Sequence, residues 1–110
     1  MGADEFRFSQ RRIAQQAARQ EFRVTQHAQQ EMAEEDILLS DVLETLQTAQ
    51  VLEHYPEHRR GPCCLVCGYT FARRPLHVVC TTEQPLLILI TIYEPRPPKW
   101  ETPTQRGRKP

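Results

Sequence analysis

Residues 61 to 94 read "GPCCLVCGYTFARRPLHVVCTTEQPLLILITIYE" and contain three apolar runs separated by short links. The runs "CCLVCGYTF", "PLHVVCT" and "LLILITIYE" are rich in β-branched and aromatic residues and are bounded by Pro, Gly or charge, which is typical of strands. The links "ARR" and "TEQP" are short, and short links between neighbouring strands favour antiparallel hairpins. This stretch therefore predicts an antiparallel β-meander.

The same stretch carries three of the four cysteines, Cys63, Cys64 and Cys67, which include a C-x-x-C. In a strand, Cys64 and Cys67 point to opposite faces and cannot share a metal. A zinc knuckle places its C-x-x-C on a turn and usually has a second pair of ligands. Further candidate ligands follow no usual zinc spacing; they are His54, His58, His77 and Cys80. We interpret the cysteines as reduced, buried strand residues, with a zinc site and a redox dithiol as alternatives.

Helical periodicity precedes the strands. The segment "SQRRIAQQAARQEF" has apolar residues at helical spacing, and "FRVT" after it is a candidate short extended piece. Thr25 is a candidate N-cap for "QHAQQEMAEED", and Ser40 for "LSDVLETLQTA". The period changes from 3.6 to 2 near Gln50. We therefore predict an α+β fold, with two or three N-terminal helices packed on one face of a three- to four-stranded antiparallel meander.

Length and composition limit the other possibilities. The chain has 110 residues, enough for one domain, which we place at residues 1–100 and follow with a flexible basic tail at 101–110. There is no run of about 18 apolar residues and no signal-like N-terminus, so we expect a cytoplasmic protein without a membrane span. Residues 1–50 carry five basic and nine acidic side chains. Residues 51–110 carry nine basic and five acidic side chains. The two halves therefore present different surfaces.

Four segments resemble, in the same order, the domain-of-unknown-function 4258 family of small bacterial proteins. They are residues 25–32, 51–56 ("VLEHYP"), 74–79 ("RPLHVV") and 90–100 ("ITIYEPRPPKW"). That family is similar to the RelE/barnase-like ribonuclease toxins, and its members resemble partners of small zinc-binding antitoxin proteins. The resemblance implies a RelE-like fold, RNA as a substrate and an antitoxin-type partner. This chain departs from the pattern at Glu31, where many members of the family carry Arg, so we expect no anion contact from this position.

The candidate catalytic residues are His77, Tyr93 and His27. RNA cleavage without a metal needs a base for the 2′-hydroxyl, an acid for the leaving oxygen and a cation for the phosphate. If residues 88, 90 and 92 form the aliphatic core face of their strand, His77 and Tyr93 share the other, open face. If the hairpin centres near "TEQP", His77 lies directly opposite Tyr93 or Thr91. Candidate phosphate ligands are the nearby basic residues, namely Arg74, Arg73, Lys99, Arg59 and Arg60. We expect Trp100 to cover the edge of the sheet.

Three functions from different classes remain open. The first is a small metal-independent endoribonuclease of toxin type, which needs no metal and no cofactor. The second is a non-catalytic RNA- or protein-binding module on the same fold. The third is a zinc or redox protein built on the cysteines. A nucleotide-binding function is disfavoured, because none of the four glycines forms a G-x-x-x-x-G-K loop.

Overall fold

The computed structural model describes residues 3 to 107. Three helices and a five-stranded sheet make up the fold, with a small hairpin at the C-terminal end. The elements in chain order are α1 Ala3–Ala18, β1 Phe22–Val24, α2 Gln26–Glu34, α3 Leu39–Gln47, β2 Gln50–Tyr55, β3 Cys63–Tyr69, β4 Pro75–Thr81, β5 Leu87–Tyr93, β6 Trp100–Thr102 and β7 Gln105–Arg106. The mixed α+β class and the helices before residue 50 are confirmed. Over the described range, no helix has the length and apolar character needed to cross a membrane.

The sheet is larger than the three or four strands that we predicted. Its order is β1-β5-β4-β3-β2, in which β2 to β5 pair antiparallel and β1 pairs parallel with β5. The backbone N–H of Leu87 donates to Glu21, and that of Thr25 donates to Leu89, so the pairing extends on either side of β1. A three-residue strand is too short to show an alternating pattern, and only its partner β5 makes it part of the sheet.

The helices pack on one face of the sheet, and the core lies between them. Its buried members include Ile13, Ala17, Ala28, Val42, Leu46, Cys64, Val66, Leu76, Val78, Cys80, Leu87, Leu89 and Ile92. Gly68 of β3 lies directly beneath α3, where a Cβ would collide with the carbonyl oxygen and methyl group of Thr45. The glycine therefore allows the close approach of helix and sheet.

The predicted core face of β5 is wrong. We expected Ile88, Ile90 and Ile92 to point into the core, but the buried residues are Leu87, Leu89 and Ile92. The pairing of β4 with β5 shifts register between Val79 and Cys80, which leaves Ile90 as an extra residue. Such a bulge reverses the alternation of side chains on one side of it. The predicted core face is therefore correct at Ile92, after the bulge, and is reversed before it.

Two helix starts were predicted, and one is confirmed. The Thr25 hydroxyl accepts the backbone N–H of Ala28 at 3.1 Å and caps α2. Ser40 does not cap α3, because that helix begins at Leu39. Instead the Asp41 carboxylate accepts the N–H of Leu38 at 2.9 Å. A carboxylate in the first turn also suits the positive end of the helix dipole, so Asp41 rather than Ser40 provides the side-chain hydrogen bond at this helix start.

Residues 100–106 form a hairpin where we predicted the start of a flexible tail. Trp100 pairs with Arg106 across β6 and β7, and its side chain is only 2% exposed. The hairpin lies on the sheet face opposite the helices, where Arg106 binds Glu53 of β2 through two nitrogen atoms at 2.6 and 2.7 Å. Trp100 therefore covers the second face of the sheet rather than its edge. Residues 108–110 of the predicted tail lie outside the described residues.

Candidate functional site

A cleft of about 460 Å³ opens between α2 and the end of β5. Its walls come from α2, from the end of β5 and from the segment that leads to β6. The lining residues are His27, Glu31, Glu35, Thr91, Tyr93, Glu94, Arg96, Lys99 and Trp100. The cleft therefore contains three of the predicted site residues, which are His27, Tyr93 and Lys99.

Glu31 of α2 and Glu35, the residue that follows this helix, hold the wall formed by β5. Since β1 ends at Val24, no strand among residues 3–107 pairs with the later part of β5 on that side. Glu31 Oε1 accepts the backbone N–H of Ile92 at 2.9 Å, and Glu35 Oε1 accepts that of Glu94 at 3.2 Å. Their four-residue spacing places both carboxylates on one side of the helix. They satisfy backbone donors that would otherwise need water or another strand.

His27 stands at the mouth of the cleft beside Glu31. Its side chain is 65% exposed, and its Nε2 lies 3.3 Å from Glu31 Oε1. This contact uses one ring nitrogen, and Nδ1 makes no hydrogen bond among residues 3–107. A histidine held by a carboxylate, with its other nitrogen available, is the usual arrangement of a general base. From the sequence, Glu31 was notable only as a departure from the family pattern, and no local pattern indicated its contact with His27.

Of the two partners predicted for His77, Tyr93 lies opposite it across β4 and β5, while Thr91 lies opposite Val79. His77 Nε2 lies 2.6 Å from the carbonyl oxygen of Pro103, and its Nδ1 lies 3.1 Å from the Tyr93 hydroxyl. A carbonyl only accepts, so Nε2 carries the proton and Nδ1 accepts the Tyr93 O–H. Both nitrogens of the neutral ring are therefore engaged.

The face that carries His77 is not open, contrary to our expectation. His77 is fully buried, and its ring contacts the Trp100 indole at 4.4 Å between centroids. Burial lowers the pKa of His77 and raises the pKa of Tyr93. The C-terminal hairpin causes this burial, and it comes from a segment whose composition suggested a tail. A substrate in the cleft can therefore reach Tyr93 but not His77.

Lys99 is the predicted cation that lies in the cleft. Its Nζ sits 5.7 Å from the centroid of the Tyr93 ring, and it makes no ion pair among residues 3–107. Arg96, which we did not predict, lines the same cleft but is bound to Glu35 at 2.8 Å and lies 3.6 Å from Glu94. Lys99 is consequently the better placed of the two to meet an anionic ligand.

The other predicted phosphate ligands lie outside the cleft. Arg74 Nε donates to Glu94 at 2.6 Å, and its two terminal nitrogens donate to the carbonyl oxygens of Asp36 and Glu35. Its donors close the end of α2, so they are not available to a phosphate. Arg73 is exposed in the turn after β3. The remaining pair, Arg59 and Arg60, is exposed in the loop before β3, at the opposite end of that strand.

The four cysteines are buried and unpaired. Cys64 lies in the core, while Cys67 pairs with His77 on the opposite face, which confirms the alternation predicted for β3. Burial raises the pKa of Cys63 and of Cys67 to about 11. In the described part of the chain, His, Cys, Asp and Glu side chains form no group of three that could hold a metal ion.

A family model covers most of this architecture. Residues 24–94 match the model described as Domain of unknown function (DUF4258). The chain belongs to the DUF4258 family. The DUF4258 match runs from the last residue of β1 to the residue after β5, and it includes His27, Glu31 and Tyr93. Lys99 and the C-terminal hairpin lie beyond it. No curated protein and no solved structure matched the chain.

Proposed function

We propose that this chain is a metal-independent endoribonuclease of toxin type that cleaves RNA in the cleft between α2 and β5. The observation that carries the proposal is the pairing of His27 with Glu31 at 3.3 Å, in a cleft that also contains Tyr93 and Lys99. These side chains supply a base, a hydroxyl donor and a cation. RNA cleavage without a metal requires these three groups.

His27 acts as the base in this proposal. Its free nitrogen takes the proton of the ribose 2′-hydroxyl, whose oxygen then attacks the adjacent phosphorus. Glu31 keeps the ring oriented and stabilises the imidazolium that forms, because its own position is fixed by the Ile92 N–H. The products are a 2′,3′-cyclic phosphate and a free 5′-hydroxyl.

Tyr93 and Lys99 act on the phosphate and on the leaving oxygen. Burial raises the pKa of Tyr93, so the phenol keeps its proton at neutral pH. Its O–H bonds His77 Nδ1 before substrate binds, and it turns to the departing 5′-oxygen to donate the proton there. Lys99 places a positive charge near the Tyr93 ring, where the phosphate gains negative charge during attack. His77 is a positioning residue, since it holds the Tyr93 hydroxyl and does not reach the cleft.

Kinship with the RelE/barnase-like toxins is part of the same proposal. It rests on the sequence resemblance, together with an α+β fold in which helices cover one face of a mainly antiparallel sheet. The same resemblance supports a small zinc-binding antitoxin protein as the partner that restrains the activity in the cell.

Purified protein incubated with RNA in excess chelator tests the activity. We expect cleavage with cyclic phosphate ends, and a loss on the order of 100-fold or more for His27→Ala and for Tyr93→Phe. Gln30→Ala is the matched control, because Gln30 is exposed on the same helix and does not line the cleft. Full activity of both cleft variants would show that the reaction occurs elsewhere.

A non-catalytic RNA-binding module is the second candidate function. Complete burial of His77, with both ring nitrogens engaged, favours it, because only one histidine remains in the cleft. In that case the parent protein binds RNA without cutting it, and Lys99→Gln weakens binding while His27→Ala has little effect. Arg23→Gln, which is exposed on β1, is the control for a general loss of charge.

A further inference from the structure

The outer surface between α1 and α3 contains a groove with two joined hollows. One hollow, of about 380 Å³, is lined by Arg7 and Arg11 of α1. The other, of about 340 Å³, is lined by Leu43 of α3 and by Phe71. Gln47 lines both, so the two hollows form one groove along the helix pair. None of its lining residues lines the cleft between α2 and β5.

Phe71 projects from the rim of this groove. It is 84% exposed, more than any other large hydrophobic side chain of the described residues. Its backbone is held in place, because its N–H donates to Glu44 Oε1 at 2.8 Å. The turn around it is closed by two backbone hydrogen bonds between Thr70 and the arginines that follow. An aromatic ring that is held in water beside an apolar hollow is an anchor for a partner surface.

The two ends of the groove carry opposite charges. Arg7 and Arg11 are exposed at one end, and Glu44 lines the other, beside Phe71. A surface with a positive hollow at one end, and with a projecting ring and a negative charge at the other, is complementary to itself after rotation by 180°. A two-fold interface requires this property, since the same patch must serve both partners.

We propose that the occupant of the groove is a second copy of this chain, in a two-fold homodimer. The Phe71 ring of each copy enters the hollow of the other between Arg7 and Arg11, where the guanidinium groups cover its face. Glu44 of each copy then approaches the same arginines. Burial of the ring and of Leu43 supplies the apolar part of the association, and the charges fix the relative direction of the helices.

Sedimentation equilibrium of the full chain over a wide concentration range tests this dimer. We expect the parent to dimerise reversibly, and Phe71→Ala to raise the dissociation constant at least about tenfold. Since Phe71 is exposed, its truncation should leave the thermal unfolding temperature nearly unchanged. Phe8→Ala is the matched control, because Phe8 is 69% exposed and lines neither hollow.

A charge exchange tests the two-fold arrangement itself. Arg11→Glu and Glu44→Lys should each weaken self-association of the variant chain. An equal mixture of the two variants should form a heterodimer, because residue 11 of one chain and residue 44 of the other then carry opposite charges at both contacts. Native mass spectrometry separates these species. A parent that stays monomeric, a dimer unaffected by Phe71→Ala, or a mixture that forms no heterodimer would each overturn the proposal.

Discussion

The carboxylate of Glu31 accepts the backbone N–H of Ile92 at 2.9 Å, so a helix side chain occupies the place of a strand carbonyl beside β5. This contact fixes the side of the cleft on which His27 stands, because His27 Nε2 lies 3.3 Å from the same carboxylate oxygen. One residue therefore serves both the sheet and the proposed site. Its two roles can be separated by substitution.

Glu31→Ala should destabilise the fold by roughly 1–3 kcal/mol, because it leaves the Ile92 N–H without its acceptor. Glu31→Gln should cost less, since an amide oxygen can still accept that hydrogen bond. Both variants remove the charge that stabilises the His27 imidazolium, so both should lower RNA cleavage. Urea unfolding measures the loss of stability. Glu34→Ala, on the exposed side of the same helix, should change stability by no more than about 0.5 kcal/mol. Equal stability of all three variants would contradict the role of Glu31 in the sheet.

Acid should destabilise the protein through His77. Burial lowers the pKa of His77 below its ordinary value of 6.5, whereas the unfolded chain takes up a proton near that value. The unfolded state then binds more protons, so stability falls as pH drops below about 6.5 and is fully present above it. The amide of His77→Gln can still bond Pro103 and Tyr93, and this variant should show a flatter stability profile between pH 7 and 5. A profile identical to that of the parent would show that His77 does not titrate as proposed.

Trp100 should report whether the C-terminal hairpin is docked. It is the only tryptophan of the chain and is 2% exposed, so its fluorescence should be that of a buried indole. Arg106 lies over its ring, with Cζ 4.8 Å from the centroid, and binds Glu53. Arg106→Ala should shift the emission to longer wavelength, while Arg23→Ala should not. The cost in stability should be no more than about 1 kcal/mol, since the Arg106 side chain is half exposed.

The same hairpin contact predicts a response to strong acid. Hydrogen bonds from Arg106 lower the pKa of Glu53 from 4.5 to about 2. A carboxylate with a depressed pKa contributes stability above its unfolded value, and this contribution is lost as pH falls through the folded value. The Glu53 contribution should therefore disappear between pH 4.5 and about 2, and Glu53→Gln should remove that part of the acid dependence. If acid unfolding of the variant follows the parent curve throughout this range, the ion pair does not stabilise the hairpin.

Gly68→Ala should destabilise the fold by about 1–3 kcal/mol, the usual cost of overpacking a core. The added methyl group would meet the backbone oxygen of Thr45, which no side-chain rearrangement can remove. Thermal unfolding measures the loss, and Cys67→Ala, a truncation one residue away on the opposite face, distinguishes it from a cavity effect. A Gly68→Ala protein as stable as the parent would show that α3 is not packed so closely on β3.

Much of the fold follows from local sequence patterns. Helical spacing before Gln50 and alternation after it determine the α+β class, because each pattern reflects which side chains of one segment share a face. The same alternation put His77 and Tyr93 on one face, and Cys64 and Cys67 on different faces, and the short link left Tyr93 and Thr91 as the two candidate partners of His77. These features depend on residues close in sequence or on the register of one hairpin.

The other features of the fold and of the site depend on tertiary contacts. The β-bulge at Ile90 changed the core face of β5, and strand β1 joined the sheet only through its pairing with β5. Glu31 became part of the site because α2 passes a stretch of β5 that, among the described residues, has a strand partner on one side only. The C-terminal hairpin buried His77, and Arg74 was engaged at the end of α2 instead of facing a phosphate. Each of these outcomes depends on contacts between segments far apart in the chain, whose free energy appears in no local periodicity.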